Sequence, residues 1–248
     1  MILFRAHLKE AVLFKNLMEV LHNVFKRLSV RLTPEGLFSR MFNEPRTILS
    51  DISIPSSSFQ SFELVKPLDF SMNTIHFYTT IASVKKKDSI LLEIHEDMPH
   101  KLFVSVIPKE QDYADRIGFY IQDIQILEIE GIPSTYHSPV EGRSAIFPRM
   151  CKNLAKISKE VRVQGNKNYI EFFGQTACVY DREYIFGQKD GDIEFDDVFD
   201  VSELAKISKI TSFSPTLNYY VEQNQPLKIE SINGLLGTIA FYIHPQRE

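Results

Sequence analysis

Apolar positions recur along this chain in two rhythms, one helical and one alternating. Residues 8–25 carry Leu8, Val12, Leu13, Leu17, Val20, Leu21 and Val24 at the three-and-four spacing of an amphipathic helix. Short alternating runs at 29–34 (SVRLTP), 36–42 (GLFSRMF) and 47–55 (TILSDISIP) predict strands. Turns at Pro34–Glu35–Gly36 and Glu44–Pro45 separate them. A second helix is predicted around 72–84, closed by Lys85, Lys86 and Lys87, whose charge suits the negative end of a helix. Strands at 89–95 and 101–107 then flank the turn Glu96–Asp97–Met98–Pro99.

The second half repeats this order. A helix at 144–158 leads to strands at 160–165, 169–175, 177–181 and 183–187, and a helix at 201–212 leads to strands at 216–223, 226–231 and 237–243. The repeat also shows in residues. Lys15–Asn16–Leu17 matches Lys152–Asn153–Leu154, and Asp97–Met98–Pro99 matches Asn224–Gln225–Pro226 at an offset of 127 residues. Strand runs interrupted by single helices predict an α+β fold of two similar units. Between them lies 117–137, acidic at Asp123, Glu128 and Glu130 yet rich in isoleucine, read as an edge strand followed by a linker, with Gly131–Ile132–Pro133 ending the strand and setting the direction in which the chain leaves it. The resulting division is a first domain at 1–118, a connector at 119–137 and a second domain at 138–248.

Composition narrows the class. The chain has 248 residues, 44% hydrophobic and 24% charged, with 10 glycines, which excludes disordered and collagen-like proteins. No apolar run is long enough to span a bilayer, and the start of the chain lacks the residue order of a signal peptide. Two cysteines in no metal-type spacing, Cys151 and Cys178, fit a reducing intracellular compartment. Charge adds a further point. The net value is −4, yet the segment 147–163 collects Arg149, Lys152, Lys156 and Lys159 on one side of a helical pattern. Cations gathered on helix faces of an acidic protein suggest a surface that meets a polyanion without holding it specifically.

Enzymatic motifs are missing from the sequence: no GxGxxG, P-loop, GxSxG or HExxH occurs. His95 and His100 flank an acidic turn and read as exposed side chains rather than metal ligands. Asp190, Asp192, Glu194, Asp196, Asp197 and Asp200 form an acidic cluster that reads as a solvated loop, its remote alternative being the two-metal site of an enzyme. Cys151 reads as a small core residue, its alternative being a thiol activated by Arg149 and Lys152. The expectation is a protein without catalytic residues, cofactor or metal.

FPRMCKNLAKI at 147–157, EGIP at 130–133, SKITSFSPTL at 208–217 and QPLKIES with GLLGTIAFYIHP at 225–245, taken in this order and spacing, resemble the proliferating cell nuclear antigen (PCNA) family of DNA sliding clamps. The likeness covers nearly the whole chain. It implies a DNA-clamp fold with helices on one face of antiparallel sheets, and a homotrimer closed head to tail around double-stranded DNA. It also implies a clamp loader, and docking of DNA polymerase and other replication and repair proteins through short peptides. The location implied is the nucleus or another intracellular site of cellular or viral DNA replication. Thr80 and Ser83 stand where the family's second helix presents lysines, the connector is one residue longer before Gly131, and His244 replaces a small residue. These departures suggest a divergent branch, of the kind found in large DNA viruses. A checkpoint-type relative acting as a monomer, a dimer or one member of a heteromeric ring is the alternative.

The resemblance assigns residues to three sites. Phosphate contacts fall on Arg149, Lys152 and Lys156 in the third helix and Lys206 and Lys209 in the fourth, with Lys9 and Lys15 in the first and Lys85, Lys86 and Lys87 near the second. Sliding requires such contacts to go to phosphates rather than base edges. Subunit contacts fall on edge strands near 112–120 and 175–186, with Tyr113, Ala177, Cys178, Val179 and Tyr180 as contact residues. A partner-peptide groove falls on Met41, Ile48, Ile129, Ile132, Pro133, Pro226, Tyr242, His244 and Pro245.

Overall fold

The computed structural model describes residues 1–109, 113–126, 129, 136–176 and 179–246. In chain order the elements begin with β1 (Ile2–Leu8), α1 (Ala11–Val24), β2 (Arg27–Thr33), β3 (Gly36–Phe42) and β4 (Ile48–Pro55). A 3₁₀ turn (Ser56–Ser58) leads to β5 (Ser61–Leu64), β6 (Leu68–Asn73) and α2 (Thr74–Ile81). Then come β7 (Ser89–His95), β8 (Met98–Ile107), β9 (Asp115–Tyr120) and β10 (Gln122–Asp123). The second half holds β11 (Val140–Arg143), α3 (Ile146–Leu154), β12 (Glu160–Gly165), β13 (Tyr169–Thr176), β14 (Tyr180–Gly187) and β15 (Phe195–Asp200). It closes with α4 (Val201–Lys206), a 3₁₀ turn (Ser208–Ser212), β16 (Thr216–Tyr220), β17 (Leu227–Asn233) and β18 (Gly237–Ile243).

Two compact units result: Met1–Met41 with Asp51–Ile129 and Asn233–Thr238, and Phe42–Ser50 with Glu130–Ile232 and Ile239–Glu248. In the first, an antiparallel sheet runs β5-β1-β7-β8-β9, and β6 lies between β2 and β10 in a second sheet that continues from β2 to β3. Phe14, Leu17, Met18 and Leu21 of α1 close over Leu28, Val30, Leu37 and Met72, leaving a void of only about 20 Å³. Leu8 extends the inward alternation of Phe4 and Ala6 and so ends β1, a strand the helical reading of 8–25 overlooks. The Asn73 side chain accepts the His76 amide at 3.0 Å, capping α2, and Phe14 meets Phe77 edge to face with ring centres 6.0 Å apart.

In the second unit a four-stranded antiparallel sheet runs β14-β13-β12-β15, while β16 pairs with β11 and β17. Tyr219 is the hub of the core: Phe186 stacks on it at 4.9 Å, and Phe172 and Phe147 lie at 5.8 and 6.2 Å. Gly142 is required beside it, since a Cβ there would come within 2.6 Å of the Phe186 ring. From Tyr180 onward, the strands expected at 177–181 and 183–187 join in one element, β14, because Asp181, Arg182 and Glu183 pair in unbroken register with β13. The acidic segment read as a loop contains β15, in which Phe195 and Phe199 point inward while Asp196 is exposed. The helix expected at 201–212 is α4 followed by a 3₁₀ turn, and α3 ends at Leu154 rather than near 158.

Candidate nucleic-acid interface, edge strands and docking groove

α3 is built with two opposite rows. Phe147, Met150, Cys151 and Leu154 are buried at the three-and-four spacing, which leaves Arg149 and Lys152 on the outward side. Lys156 continues that row from the turn after the helix, and all three cations are solvent-facing. Asn153 lies between the rows, and its amide donates to the Tyr184 hydroxyl of β14 at 2.7 Å. Lys209 is exposed in the 3₁₀ turn after α4 rather than within it.

The other cations differ. Lys206 pairs with Glu203 at 2.6 Å, and the same carboxylate accepts the Thr47 hydroxyl at 2.9 Å, so this ammonium is engaged at home. Lys15 lies on α1 and donates to backbone carbonyls beyond the end of α2. Lys9 is exposed in the junction between β1 and α1, outside the helix expected to carry it. Lys85, Lys86 and Lys87 are exposed in the turn after α2, and Asp88 shapes that turn by accepting the Lys85 amide at 2.8 Å. The exposed side chains of α2 itself are Ile75, His76 and Thr79, none of them a lysine or arginine, and Thr80 donates back to the His76 carbonyl at 3.1 Å.

β9 and β14 are outer strands of their sheets, each with a single neighbour in them. Large apolar groups are exposed along both: Tyr113 is 59% and Tyr120 73% exposed at the first, and Val179 75% and Tyr180 51% at the second. Ala177 and Cys178 lie outside the described residues. Edge strands with free backbone groups and exposed apolar side chains are templates for pairing with another chain.

The groove residues separate by depth. Ile48, Pro226 and Tyr242 are buried, and His244 and Pro245 are half-buried, all in the second unit. Met41 and Ile129, in the first unit, are half-buried. Ile132 and Pro133 lie outside the described residues. Two groups that the sequence did not single out organise the second-unit surface. Tyr136 donates to the Pro226 carbonyl at 2.9 Å and packs its ring against Tyr242 at 6.3 Å, with desolvation holding its hydroxyl firmly protonated. Arg46 lies over the Phe42 ring at 4.9 Å, and Phe42 faces His244 at 6.0 Å.

Burial and pairing account for the cysteine and for one of the clustered acids. Burial pushes the Cys151 thiol up to about 12, the opposite of an activated nucleophile. Among the described residues no three His, Cys, Asp or Glu side chains converge as a metal site. Asp196 is taken by Arg162 through two bonds of 2.7 and 2.5 Å, which hold its carboxyl below the usual range. No described helix is long and apolar enough to cross a membrane.

Two units of helices and antiparallel sheets with outward cations on one helix and open outer strands define the DNA-clamp class. The fold matches the crystal structure of proliferating cellular nuclear antigen from Entamoeba histolytica with a TM-score of 0.87 over 100% of both chains, at 16% identity. The family model for the N-terminal domain of proliferating cell nuclear antigen matches residues 3–130, and the chain belongs to that family. It is 19% identical to the probable DNA polymerase sliding clamp 1 of Paramecium bursaria Chlorella virus 1, across 98% of this chain and 97% of the viral one. It is likewise 19% identical to the proliferating cell nuclear antigen of Dictyostelium discoideum, covering 99% of this chain and 100% of the relative.

Proposed function

We propose that the protein is a sliding clamp: a ring of identical subunits that encircles duplex DNA without sequence preference and tethers DNA polymerase and other replication and repair proteins. The observation that carries this reading is the outward row of Arg149, Lys152 and Lys156 opposite the buried face of α3. Long cations on a helix meet phosphates weakly and in any register, which permits sliding, whereas base-edge contacts would impose sequence. Membership of the family and the open edges of β9 and β14 support closure by pairing between copies, a heterologous contact repeated around a cycle. Domains at 1–118 and 138–248 with a connector at 119–137, a clamp loader and action where DNA is replicated, in the nucleus or at a viral site, belong to the same proposal. The chain acts by topology and docking, not by catalysis.

Partners dock on the second unit at His244 and Pro245, above a floor of Pro226 and Tyr242 that Tyr136 braces, with Ile132 and Pro133 assigned to the same groove by the family resemblance alone. A few apolar anchors in such a shallow cleft supply most of the affinity. Sedimentation tests the ring: the mass should be near three times the 28.7 kDa subunit, and Tyr180→Ala should lower it. A chain that remains monomeric at micromolar concentration sinks the reading, and a mass of two subunits favours the checkpoint-type alternative.

A further inference from the structure

A cleft of about 470 Å³ opens where the chain enters β9, lined by Lys85, Lys86, Lys87 and Lys109 with Tyr113 and Asp115. Its other carboxylate, Asp88, is buried and occupied by the Lys85 amide, so cations dominate the rim. The converse charge follows β14. Gly187, at φ 81, turns the chain out of the strand, and Asp190, Asp192 and Glu194 come next, all exposed. Lys189, the cation of this segment, is drawn to Glu171 at 2.8 Å. The segment is held in shape from within, since the Asn166 amide donates to the Asp190 and Asp192 carbonyls at 2.7 and 2.9 Å.

We propose that the lysine cleft of one subunit receives the acidic segment after β14 of a second copy of this chain, forming an electrostatic clasp beside the strand seam. The inference rests on the ring reading and adds a charge pairing to its closure. Among the described strand pairs whose register is known, every one is antiparallel. When β9 and β14 of two copies pair in the same sense, the end of β14 meets the beginning of β9. That places acids against lysines; parallel pairing would put them at opposite ends. Charge complementarity of this kind selects register and speeds encounter more than it adds affinity, and salt screens it.

The test is a charge swap read by sedimentation velocity without DNA. Lys86→Glu with Lys109→Glu should raise the dissociation constant of the assembly about tenfold, as expected when two attractions become repulsions. Asp192→Lys with Glu194→Lys should do the same, because both carboxylates are exposed and free to face a second copy. All four changes in one chain should restore assembly, and high salt should erase the differences. Circular dichroism checks that each variant folds. An assembled wild type indifferent to either pair, or a fourfold variant no better than the doubles, overturns the clasp while leaving the ring. Weaker DNA binding by the lysine pair with assembly unchanged would overturn it too, and would assign the cleft to phosphates. A monomeric wild type defeats both proposals.

Discussion

The ammonium group of Lys15 in α1 donates to the Val84 carbonyl at 2.8 Å and to the Ala82 carbonyl at 3.3 Å. Both carbonyls lie just past the end of α2, where unpaired backbone oxygens and the helix dipole favour a cation. The side chain therefore works as a clip between two helices. Lys15→Ala should cost about 1 kcal/mol of stability in a denaturant titration, as for a missing cap or charged hydrogen bond, and barely change DNA affinity. The reverse outcome, a stable protein with weakened DNA binding, would return Lys15 to the phosphate-facing set.

The exposed cations of the second unit should behave oppositely. Replacing Arg149, Lys152, Lys156 and Lys209 by alanine leaves the melting temperature nearly unchanged, because exposed positions contribute little to stability. The salt dependence of DNA binding should become shallower by about one unit for each cation that no longer neutralises a phosphate. Duplexes of different sequence should respond alike, and a marked sequence preference in the unmodified protein would contradict sliding.

Asp69 gives the first unit a defined acid sensitivity. Its carboxylate accepts two bonds from Arg31, at 2.9 and 2.8 Å, and Arg31 also reaches the Ile126 carbonyl at 3.0 Å, fastening the chain where it leaves β10. The Arg31 hydrogen bonds hold the Asp69 carboxyl below its ordinary range against the opposing effect of burial. A depressed folded-state value stabilises the protein above the unfolded-state value, about 4, and that stabilisation disappears as pH falls through the folded one. Asp69→Asn should flatten stability against pH in that acidic window and leave its shape near neutrality unaltered. Chemical unfolding at a series of pH values checks this, and an unchanged acid limb refutes it.

The proposed docking surface can be tested separately from its support. Ile132→Ser with Pro245→Ala should abolish binding of a peptide with paired aromatics while assembly persists, which calorimetry and sedimentation measure together. Tyr136→Phe removes only the bond to the Pro226 carbonyl and should weaken the same peptide by about 1 kcal/mol, the usual worth of a neutral hydrogen bond. Undiminished binding in the double variant would locate the docking site elsewhere.

Much of the architecture could be read from periodicity where one rhythm ruled. GLFSRMF, SILLEIH and EVRVQG are strands with the expected ends, and α3 shows its buried row directly in sequence. Reading failed where two signals overlapped. Leu8 satisfies both the end of β1 and a helical spacing, and only pairing with β7 decides between them. In β15 Asp196 and Asp200 share the outward phase with Val198, and Asp197 takes the inward position between Phe195 and Phe199, so charge masked the strand. Roles set by distant partners were out of reach. Nothing local shows that the carboxylate holding Lys206 also accepts the Thr47 hydroxyl, or that Tyr136 braces Pro226 across 90 residues of chain.

The 2.7 Å bond from Asn153 to Tyr184 joins the helix that carries Arg149 and Lys152 to the middle of β14. In the proposed ring, that strand is the gate and that helix is the grip. A force that peels β14 from the next subunit would then pull on the helix proposed to face the phosphates. Opening the gate and relaxing the hold on DNA then become one mechanical act, so a loader that parts a single seam also lowers the friction of threading the duplex through it.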